Sequence, residues 1–319
     1  MGQHVKFQLT LTKKMNRRIF LESSLLGASA ISILPSWAFS HSKNKPKVKW
    51  GIATITWGDS YLKGIEEIST LGIHGIQIRG NAYKDFKEKP LELKNICKKL
   101  DIDCVILSGG NIDPNPAAFE KQKTIFKEMA AFIKSIGGEY LQATTIKRDS
   151  YPPGKEQISR LAKTINAIGE IVKEEGIELL LHNHMHQLCQ TPEEVSQLLD
   201  QTDPKKVGFL LDIAHYAQGG GNPVEAILKY KKRLKLLHFK DLQAPKPNHQ
   251  GSKEYNYQFM ELGKGNQINM TEVLDALNQI NFKGWCMIEL DAVPNPNSNP
   301  LEATKTSLNF LSTQFGYKF

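Results

Sequence analysis

Residues 177–184 read Ile-Glu-Leu-Leu-Leu-His-Asn-His, an apolar run that ends in imidazole and amide side chains. Two more runs of this kind follow, Val-Gly-Phe-Leu-Leu-Asp at 207–212 and Leu-Lys-Leu-Leu-His-Phe-Lys-Asp at 234–241. Nearly continuous apolar runs of this length are typical of strands buried on both faces of a parallel sheet. The three runs therefore predict three buried strands, and each strand ends in side chains that can bind protons or metal ions.

The same pattern continues along the chain from Val48 onward, because short apolar runs alternate with longer amphipathic segments. Strand–helix alternation indicates parallel strands that are joined by crossover helices. The predicted strands are residues 48–56, 73–79, 103–108, 139–144, 177–183, 207–213, 234–240 and 284–290. The predicted helices are residues 61–71, 91–100, 115–136, 154–175, 191–201, 222–232, 269–280 and 299–314.

Eight strand–helix units in about 250 residues fit a single α/β domain, a (β/α)8 barrel of the TIM type. A doubly wound open sheet is the alternative fold. Such a sheet usually carries a glycine-rich fingerprint after its first strand. No fingerprint of this kind follows Trp57, near the end of the first predicted strand. The pattern therefore favours the barrel.

The composition is that of an ordinary globular protein, with 40% hydrophobic and 23% charged residues in a chain of 319. The net charge is +8 at pH 7. Residues 1–40 contain five basic residues and one acidic residue, a net of +4, so the remaining chain also carries +4. This mild excess is a weak argument for nucleic acid, and we expect no nucleic-acid partner.

The first forty residues have the features of an export signal. Asn-Arg-Arg-Ile-Phe-Leu at 16–21 precedes an apolar stretch at 25–34 that is too short to span a membrane. Ala-Phe-Ser at 38–40 offers small residues for cleavage, and the whole resembles a twin-arginine signal. An uncleaved membrane anchor is the alternative. We predict a signal peptide at 1–40, a linker at 41–47 and a barrel at 48–319, in a periplasmic or otherwise exported protein with no membrane span after cleavage.

The four cysteines form no Cys-x-x-Cys pair and have no metal-ligand spacing. They are Cys97, Cys104, Cys189 and Cys286. We expect them to be small buried apolar residues. An oxidising compartment would permit disulfides, but the sequence alone does not assign a pairing.

Polar residues with metal-binding side chains follow four successive predicted strands. They are His182, Asp212, His238 and Glu289. A charged or imidazole group at the end of a buried strand needs a partner, and the active site of a (β/α)8 barrel lies at the carboxyl ends of its strands. Each of these side chains alone is more commonly a hydrogen-bonded core residue than a ligand. Together they predict one divalent metal site, for Mn²⁺, Co²⁺, Fe²⁺ or Zn²⁺.

Other side chains near the strand ends are candidates for catalysis or substrate binding. We predict that His184 and His215 contact the substrate or transfer protons, while His186 is a loop residue. Lys240 could act as an acid or base, hold an oxyanion, or simply pair with Asp241. Two further side chains are predicted to line the pocket: Trp57 after the first strand and Arg79 after the second.

These motifs resemble those of the xylose-isomerase-like barrel superfamily of sugar phosphate isomerases and epimerases, over the span from Val48 to Tyr317. The Asp-x-x-His element of that group matches 212–215, and the histidine that ends the next-to-last strand matches the His-Phe-Lys-Asp at 238–241. The last glutamate of the group matches Glu289. The resemblance implies a metal-dependent enzyme that acts on a keto sugar, and it implies a catalytic role for Glu289.

Two positions depart from the group's pattern. His182 replaces a glutamate that in epimerases both binds the metal and transfers a proton, and Gln77 stands where the group usually has a glutamate. A scheme with one glutamate on each face of the substrate is therefore in doubt. Glu289 would have to work with Lys240, His184 or His215.

The preferred hypothesis is an isomerase or epimerase that removes a proton next to the carbonyl of a keto sugar or related polyol. The alternative is a lyase or dehydratase that acts by β-elimination, for example by cleaving a 3-keto-glycoside. A non-catalytic sugar-binding barrel is a further alternative. A DNA-repair endonuclease would need more ligands on the early strands, where this chain offers Gln77, Ser108 and Gln142.

The polar segment 242–262 is either a lid over the pocket or a subunit contact, and the sequence leaves homo-oligomerisation open. The expected partner is a small keto sugar or glycoside. The sequence identifies neither the sugar nor the metal.

Overall fold

Eight parallel strands close into a barrel in the computed structural model, which describes residues 45–148, 154–244 and 257–319. The strands are β1 (Lys49–Ala53), β2 (Gly75–Ile78), β3 (Asp103–Ile112), β4 (Tyr140–Thr145), β5 (Glu178–His182), β6 (Val207–Asp212), β7 (Leu234–Phe239), β8 (Asp241–Gln243), β9 (Gln258–Met260) and β10 (Trp285–Ile288). The barrel order is β1-β10-β7-β6-β5-β4-β3-β2, and β8 and β9 form a separate antiparallel hairpin.

Helices follow the barrel strands and surround them. The described α-helices are α1 (Tyr61–Ser69), α2 (Gly80–Phe86), α3 (Pro90–Lys99), α4 (Phe119–Ile136), α5 (Lys155–Glu174), α6 (Pro192–Gln201), α7 (Ile213–Gln218), α8 (Pro223–Lys229), α9 (Met270–Gln279) and α10 (Pro300–Phe315). Short 3-10 helices lie at Thr54–Ser60 and Pro116–Ala118. Within the described residues, no helix is long and apolar enough to cross a membrane.

The predicted (β/α)8 barrel is confirmed, and all eight predicted strands are present. The first strand is shorter than predicted, because a 3-10 helix begins at Thr54. The third strand is longer, since it continues past a shift in its register with β4 between Ser108 and Asn111. Two short helices, α2 and α7, and the hairpin were not predicted, because segments of three to seven residues carry too little periodicity.

Two predictions concern segments that the structure does not describe in full. The predicted signal peptide at 1–40 and most of the linker at 41–47 lie outside the described residues. The segment 242–262 is described only at its two ends, which form the β8–β9 hairpin.

The interior of the barrel is filled by large apolar side chains from alternate strand positions. One buried cluster of them consists of Val105, Ile106, Leu180, Leu210, Leu236 and Met287. Gly51 of β1 makes room for this layer, since a Cβ atom there would lie 2.3 Å from the Met287 sulfur. The opposite faces of the strands pack on the helices in a larger cluster, to which Leu181, Phe209 and Leu237 belong. The barrel is therefore a packed core, and a site can form only at its ends.

Candidate active site

The four predicted metal ligands meet at the carboxyl end of the barrel. Each stands two positions after an apolar residue of the interior layer, so strand alternation turns its side chain into the barrel. The successive pairs are Leu180 and His182, Leu210 and Asp212, Leu236 and His238, and Met287 and Glu289. Each of the four ligands offers one ligand atom, and these atoms all lie within 4.8 Å of one another. All four residues are buried.

Asp212 is oriented by its own neighbours along the chain. Its Oδ1 atom accepts hydrogen bonds from the backbone N–H groups of Ala214 and His215, at 2.9 and 2.8 Å, and so caps the amino end of α7. The Asn183 side chain accepts from the Asp212 N–H and donates to its carbonyl oxygen. Because Oδ1 is occupied by the cap, Oδ2 is the atom that Asp212 presents to the site.

Gln77 orients His238 from across the barrel. The Gln77 Oε1 atom accepts a hydrogen bond from His238 Nε2 at 2.8 Å. Its Nε2 atom donates to Gln142 Oε1 at 3.0 Å and to Glu289 Oε2 at 3.3 Å. Because an amide oxygen only accepts, His238 carries a proton on Nε2, and its Nδ1 is the atom that faces Asp212 and Glu289.

The donor set fits a divalent cation. Within the described residues, His182 Nδ1 is buried without a hydrogen-bond partner, and His238 Nδ1 faces the carboxylates of Asp212 and Glu289 at 3.6 and 3.2 Å. A buried nitrogen of this kind is costly unless something binds it, and two imidazoles with two carboxylates suit Zn²⁺, Fe²⁺, Co²⁺ or Mn²⁺. The site can therefore bind a metal ion through His182, Asp212, His238 and Glu289.

Lys240 lies directly beside this group. Its Nζ atom is 2.7 Å from Asp212 Oδ2, 2.8 Å from Glu289 Oε1 and 3.2 Å from Asp291 Oδ2. The side chain is fully buried. Three carboxylates thus face one ammonium, and a divalent cation would bring the charge of the cluster to zero when the imidazoles are neutral.

The predicted alternative partner of Lys240 was Asp241, and the structure corrects it. Strand alternation places residues 240 and 241 on opposite sides of the chain. Asp241 instead accepts hydrogen bonds from the backbone N–H groups of Leu242 and Gly263, at 2.8 and 3.0 Å. It therefore stabilises the turn around the hairpin and does not neutralise Lys240.

The charges of the site determine its ionisation. Burial raises the pKa of Asp212, but the charge of Lys240 and the neighbouring imidazoles together outweigh burial, so the pKa is well below its usual range. The pKa of Glu289 is likewise lowered against burial, by His238 and Lys240. Burial lowers the pKa of Lys240, but the surrounding carboxylates raise it well above its ordinary value. For His238, burial lowers the pKa, but Glu289 and Asp212 raise it to about 9.

A second set of polar side chains lies next to the metal-binding quartet, further from the interior of the barrel. His184 and Asp291 stand two positions after His182 and Glu289, and with His215 they form a group whose ligand-type atoms also lie within 4.8 Å of one another. The His184 and His215 rings are 3.9 Å apart between centroids. Burial lowers the pKa of His215 well below its ordinary value, so this imidazole is neutral.

The backbone of Met185 determines which nitrogen of each ring carries a proton. Its carbonyl oxygen accepts from His184 Nδ1 at 2.8 Å, so His184 has a free lone pair on Nε2. Its N–H group donates to His215 Nδ1 at 3.4 Å, so neutral His215 carries its proton on Nε2. One ring can therefore accept a proton while the other donates a hydrogen bond.

A cavity of about 200 Å³ opens next to these groups. Its lining includes His182, His184, Glu289 and Arg79. This volume is below the range typical of drug-sized ligands and suits one small polar molecule.

Two other predicted features lie elsewhere. Trp57 does not line this cavity, because its indole packs against α1 at Gly64 and its N–H donates to Glu67 at 2.6 Å. The prediction that Trp57 contacts the substrate is not supported by this placement. His186 is an exposed loop residue with a positive φ of 63°, as expected.

Sequence reasoning treated Gln77 and Gln142 only as departures from a family pattern and gave Asn183, Met185 and Asp291 no role. A signal was present for Gln77, Gln142 and Asp291. Gln77 and Gln142 are polar residues between apolar neighbours in β2 and β4, and Asp291 stands two positions after Glu289. Nothing in the sequence reveals the backbone hydrogen bonds of Met185, since they depend on the loop conformation.

The sequence model of the family described as Xylose isomerase-like TIM barrel matches residues 65–314. The chain belongs to this family. The predicted resemblance is thereby confirmed at the level of the family.

Members and structural neighbours of known name are similar over most of the chain. An inosose dehydratase of Mesomycoplasma hyopneumoniae (strain 7448) is 28% identical over 292 residues, which cover 83% of this chain and 95% of that protein. The probable 3-DHS dehydratase AsbF of Bacillus anthracis superposes with a TM-score of 0.69 at 17% identity, over 84% of this chain and 100% of that one. The IOLI protein, solved with a bound zinc atom, superposes with a TM-score of 0.69 at 20% identity, over 83% and 97% of the two chains.

The family and its named relatives agree with the geometry of the site. His182, Glu289 and His184 line one small cavity, and the rest of the metal-binding quartet, Lys240 and His215 lie beside these residues. The protein is an enzyme, as the sequence predicts.

Proposed function

We propose that the protein is a metal-dependent lyase that dehydrates a cyclic polyhydroxy ketone. This is the β-elimination alternative of the sequence analysis, and it takes precedence here over isomerisation. The observation that carries it is the opposite protonation of His184 and His215, fixed by one backbone residue beside the metal quartet. The inosose dehydratase among the relatives supports the same class of reaction.

The reaction needs a base, an acid and a stabilised negative charge. The bond between hydrogen and the carbon next to the carbonyl breaks, and the hydroxyl group on the following carbon then leaves as water. His182, Asp212, His238 and Glu289 would hold a divalent cation, which when bound would supply positive charge to polarise the carbonyl. Lys240, an ammonium beside the quartet, adds a second positive charge near the carbonyl oxygen.

His184 performs both proton transfers in this scheme, and His215 assists as a hydrogen-bond donor. The free lone pair on His184 Nε2 takes the proton from carbon, and the imidazolium that forms gives this proton to the leaving hydroxyl. Neutral His215 donates a hydrogen bond to that hydroxyl from Nε2–H, which has no other partner among the described residues. Because the proton leaves with the water, His184 is neutral again for the next turnover. The substrate loses one water, and no other atoms are gained or lost.

The role of Gln77 supports elimination over two-base epimerisation. An epimerase of the group needs a second acid opposite Glu289, and this chain has Gln77 and His182 at the two relevant positions. Gln77 is held by His238, Gln142 and Glu289, and an amide cannot exchange protons at neutral pH. Gln77 is therefore a positioning residue.

The test uses the full chain loaded with Zn²⁺, Mn²⁺ or Co²⁺ and a panel of inososes and 3-keto-glycosides in D₂O. We expect loss of one water from an inosose, seen by mass spectrometry. His184→Ala and His215→Ala should lower kcat by about 10²- to 10⁴-fold. His186→Ala is the matched control, since this exposed histidine lies outside the cavity.

Other outcomes would change the assignment. A product of unchanged mass that carries deuterium would make the enzyme an isomerase or epimerase. Cleavage of a 3-keto-glycoside would retain the lyase but change its leaving group. Binding with neither turnover nor deuterium exchange across the panel would contradict catalysis on this class.

We further propose that residues 1–40 direct export by a twin-arginine route. This rests on the Arg17-Arg18 pair and the short apolar stretch that follows it. The expected result is a mature protein in the periplasmic fraction and a retained precursor when both arginines are changed to lysine. Equal export of the double variant would contradict this route.

A further inference from the structure

Two of the four cysteines face each other at the amino end of the barrel. Cys97 lies near the end of α3 and Cys104 near the start of β3, and their sulfur atoms are 3.4 Å apart. Both side chains are buried, with 3% and 5% of their surface exposed. Each thiol is thus a polar contact of the other in an apolar environment.

Backbone hydrogen bonds hold the two residues in this relation. The chain reverses after α3, where the Ile102 N–H donates to the Cys97 carbonyl at 2.9 Å and the Asp101 N–H donates to the Lys98 carbonyl at 3.3 Å. Asp101 has a φ of 56°, as this left-handed helix end requires. Cys104 then pairs with Ile76 of β2. Because both ends of the short connection are fixed, the sulfur atoms stay within reach of each other.

We propose that Cys97 and Cys104 are an intrachain disulfide site. A disulfide has an S–S length of about 2.05 Å, so the sulfur atoms must approach by about 1.4 Å. Rotation of the two side chains about their Cα–Cβ bonds can supply part of this movement. The resulting bond would link the end of α3 to the start of β3, away from the carboxyl ends where the catalytic cavity lies.

The two thiols differ in a way that suits the exchange reaction. The hydrogen bond with Cys104 lowers the pKa of Cys97, while the same bond and burial raise the pKa of Cys104. The Cys97 thiolate therefore attacks a disulfide oxidant such as oxidised glutathione, and one glutathione thiolate leaves. Cys104, on losing its proton, attacks the Cys97 sulfur and releases the second. Two protein thiols are oxidised and one glutathione disulfide is reduced to two thiols.

Cys189 and Cys286 are internal controls. Both are fully buried, and within the described residues no contact joins either of them to another cysteine. Burial raises the pKa of each thiol. They should therefore stay reduced under conditions that oxidise the proposed pair.

Peptide mapping tests the pairing directly. The full chain is refolded in oxidised and reduced glutathione, so that burial in the folded state does not block access, and is then alkylated and cut with trypsin. Cleavage after Lys94, Lys98, Lys99 and Lys121 separates Cys97 from Cys104. We expect the peptides 95–98 and 100–121 to remain joined until reductant is added. We expect two alkylated thiols, on Cys189 and Cys286.

Thermal unfolding supplies a second readout. For a loop this short we expect oxidation to raise Tm by about 5 °C, and reductant to reverse the rise. Cys97→Ser and Cys104→Ser should lose the redox-dependent shift, while Cys286→Ser keeps it. Activity on the same substrate should not depend on the redox state. Four alkylated thiols after oxidation, or a linkage through another cysteine, would overturn the proposal.

Discussion

Asp212 serves the fold and the site with different oxygen atoms of one carboxylate. Oδ1 caps α7 through the N–H groups of Ala214 and His215, and Oδ2 faces His238 and Lys240. The cap also holds His215, whose ring lies in the outer polar group. A substitution that removes the charge but keeps an oxygen cap therefore separates the two roles.

We predict that Asp212→Asn loses metal but keeps the cap of α7, since asparagine is a good helix cap. Asp212→Ala should also lose metal, and its free energy of unfolding should be about 1 kcal/mol lower than that of Asp212→Asn, because it loses the cap as well. Elemental analysis of purified protein and denaturant unfolding of the metal-free forms provide the measurements. Wild-type metal content in Asp212→Asn would exclude this carboxylate as a ligand.

Gln77 lets us test whether an amide orients a ligand. We predict that Gln77→Leu lowers metal affinity by about 10- to 100-fold, because His238 loses the acceptor that fixes its proton on Nε2. Gln77→Glu keeps an acceptor and should bind metal within a few-fold of the wild type. Metal titration against a competing chelator measures both. Equal affinity in the leucine variant would show that the barrel alone positions His238.

The contrast between Trp57 and Gln77 shows what the sequence reveals about single residues. The four candidate ligands were predictable because period-two alternation turns each of them inward at a strand end. Trp57 lies within the 3-10 helix that begins at Thr54, so strand alternation does not predict the direction of its side chain. For Gln77 the sequence indicates only that an acid is missing, since its three hydrogen bonds involve residues 65 to 212 positions away.

At the level of elements, the loop between β5 and α6 carries His184 and Met185 and is held by buried polar contacts. Glu194 Oε2 accepts from the N–H groups of Gln190 and Thr191, each at 2.9 Å, and from Arg148 Nη2 at 2.6 Å. The Glu194 and Arg148 side chains are 6% and 10% exposed. This carboxylate therefore ties the loop both to α6 and to the segment after β4.

We predict that Glu194→Ala lowers the free energy of unfolding by about 3 kcal/mol, because it removes one partner of a buried ion pair. It should also lower kcat, since the loop that sets the protonation of His184 and His215 loses its anchor. Glu194→Gln keeps an acceptor and should lose less of both. Denaturant unfolding and kcat measurements on both variants test these predictions. Unchanged kcat in Glu194→Ala would show that Met185 is held by other contacts.

Long elements were predictable and short ones were not. The strands β5, β6 and β7 are each bounded within about one residue of the prediction, because their apolar runs end at a polar group that alternation explains. The six residues of α7 begin at the Asp-x-x-His element, which was read as a ligand motif. The same Asp212 side chain caps the helix and is a candidate metal ligand, so the sequence motif does not distinguish the two roles.

For the whole molecule, the buried ionisable groups make the stability of the metal-free protein depend on pH. The pKa values of Asp212 and Glu289 are lower in the folded state, as are those of His182 and His215. As the pH falls, the unfolded chain therefore binds more protons than the folded protein does. The free energy of unfolding decreases on acidification below about pH 6.5. His238 acts in the opposite direction, since its pKa is raised to about 9.

We predict a stability maximum near about pH 6.5 to 7 for the metal-free protein. His238 contributes up to about 3 kcal/mol to the free energy of unfolding. This contribution is fully present below the pKa that the histidine has in the unfolded chain, and it is lost as the pH rises through about 9. His238→Gln should therefore flatten the alkaline side of the curve and leave the acid side in place. Urea unfolding from pH 4 to pH 10 is the measurement. An unchanged alkaline limb in this variant would contradict the assignment.

A bound metal should stabilise the entire barrel, since its candidate ligands come from β5, β6, β7 and the residue after β10. At a free concentration one hundred times Kd, the gain is about 2.7 kcal/mol. For a domain of this size we predict a Tm rise of about 5 °C, reversed by a chelator. Asp212→Asn should abolish the rise, because it removes one of the four ligands. An equal rise in this variant would show that the metal binds at other sites. The rise should also shrink below about pH 6, where protons compete for His182 and His238.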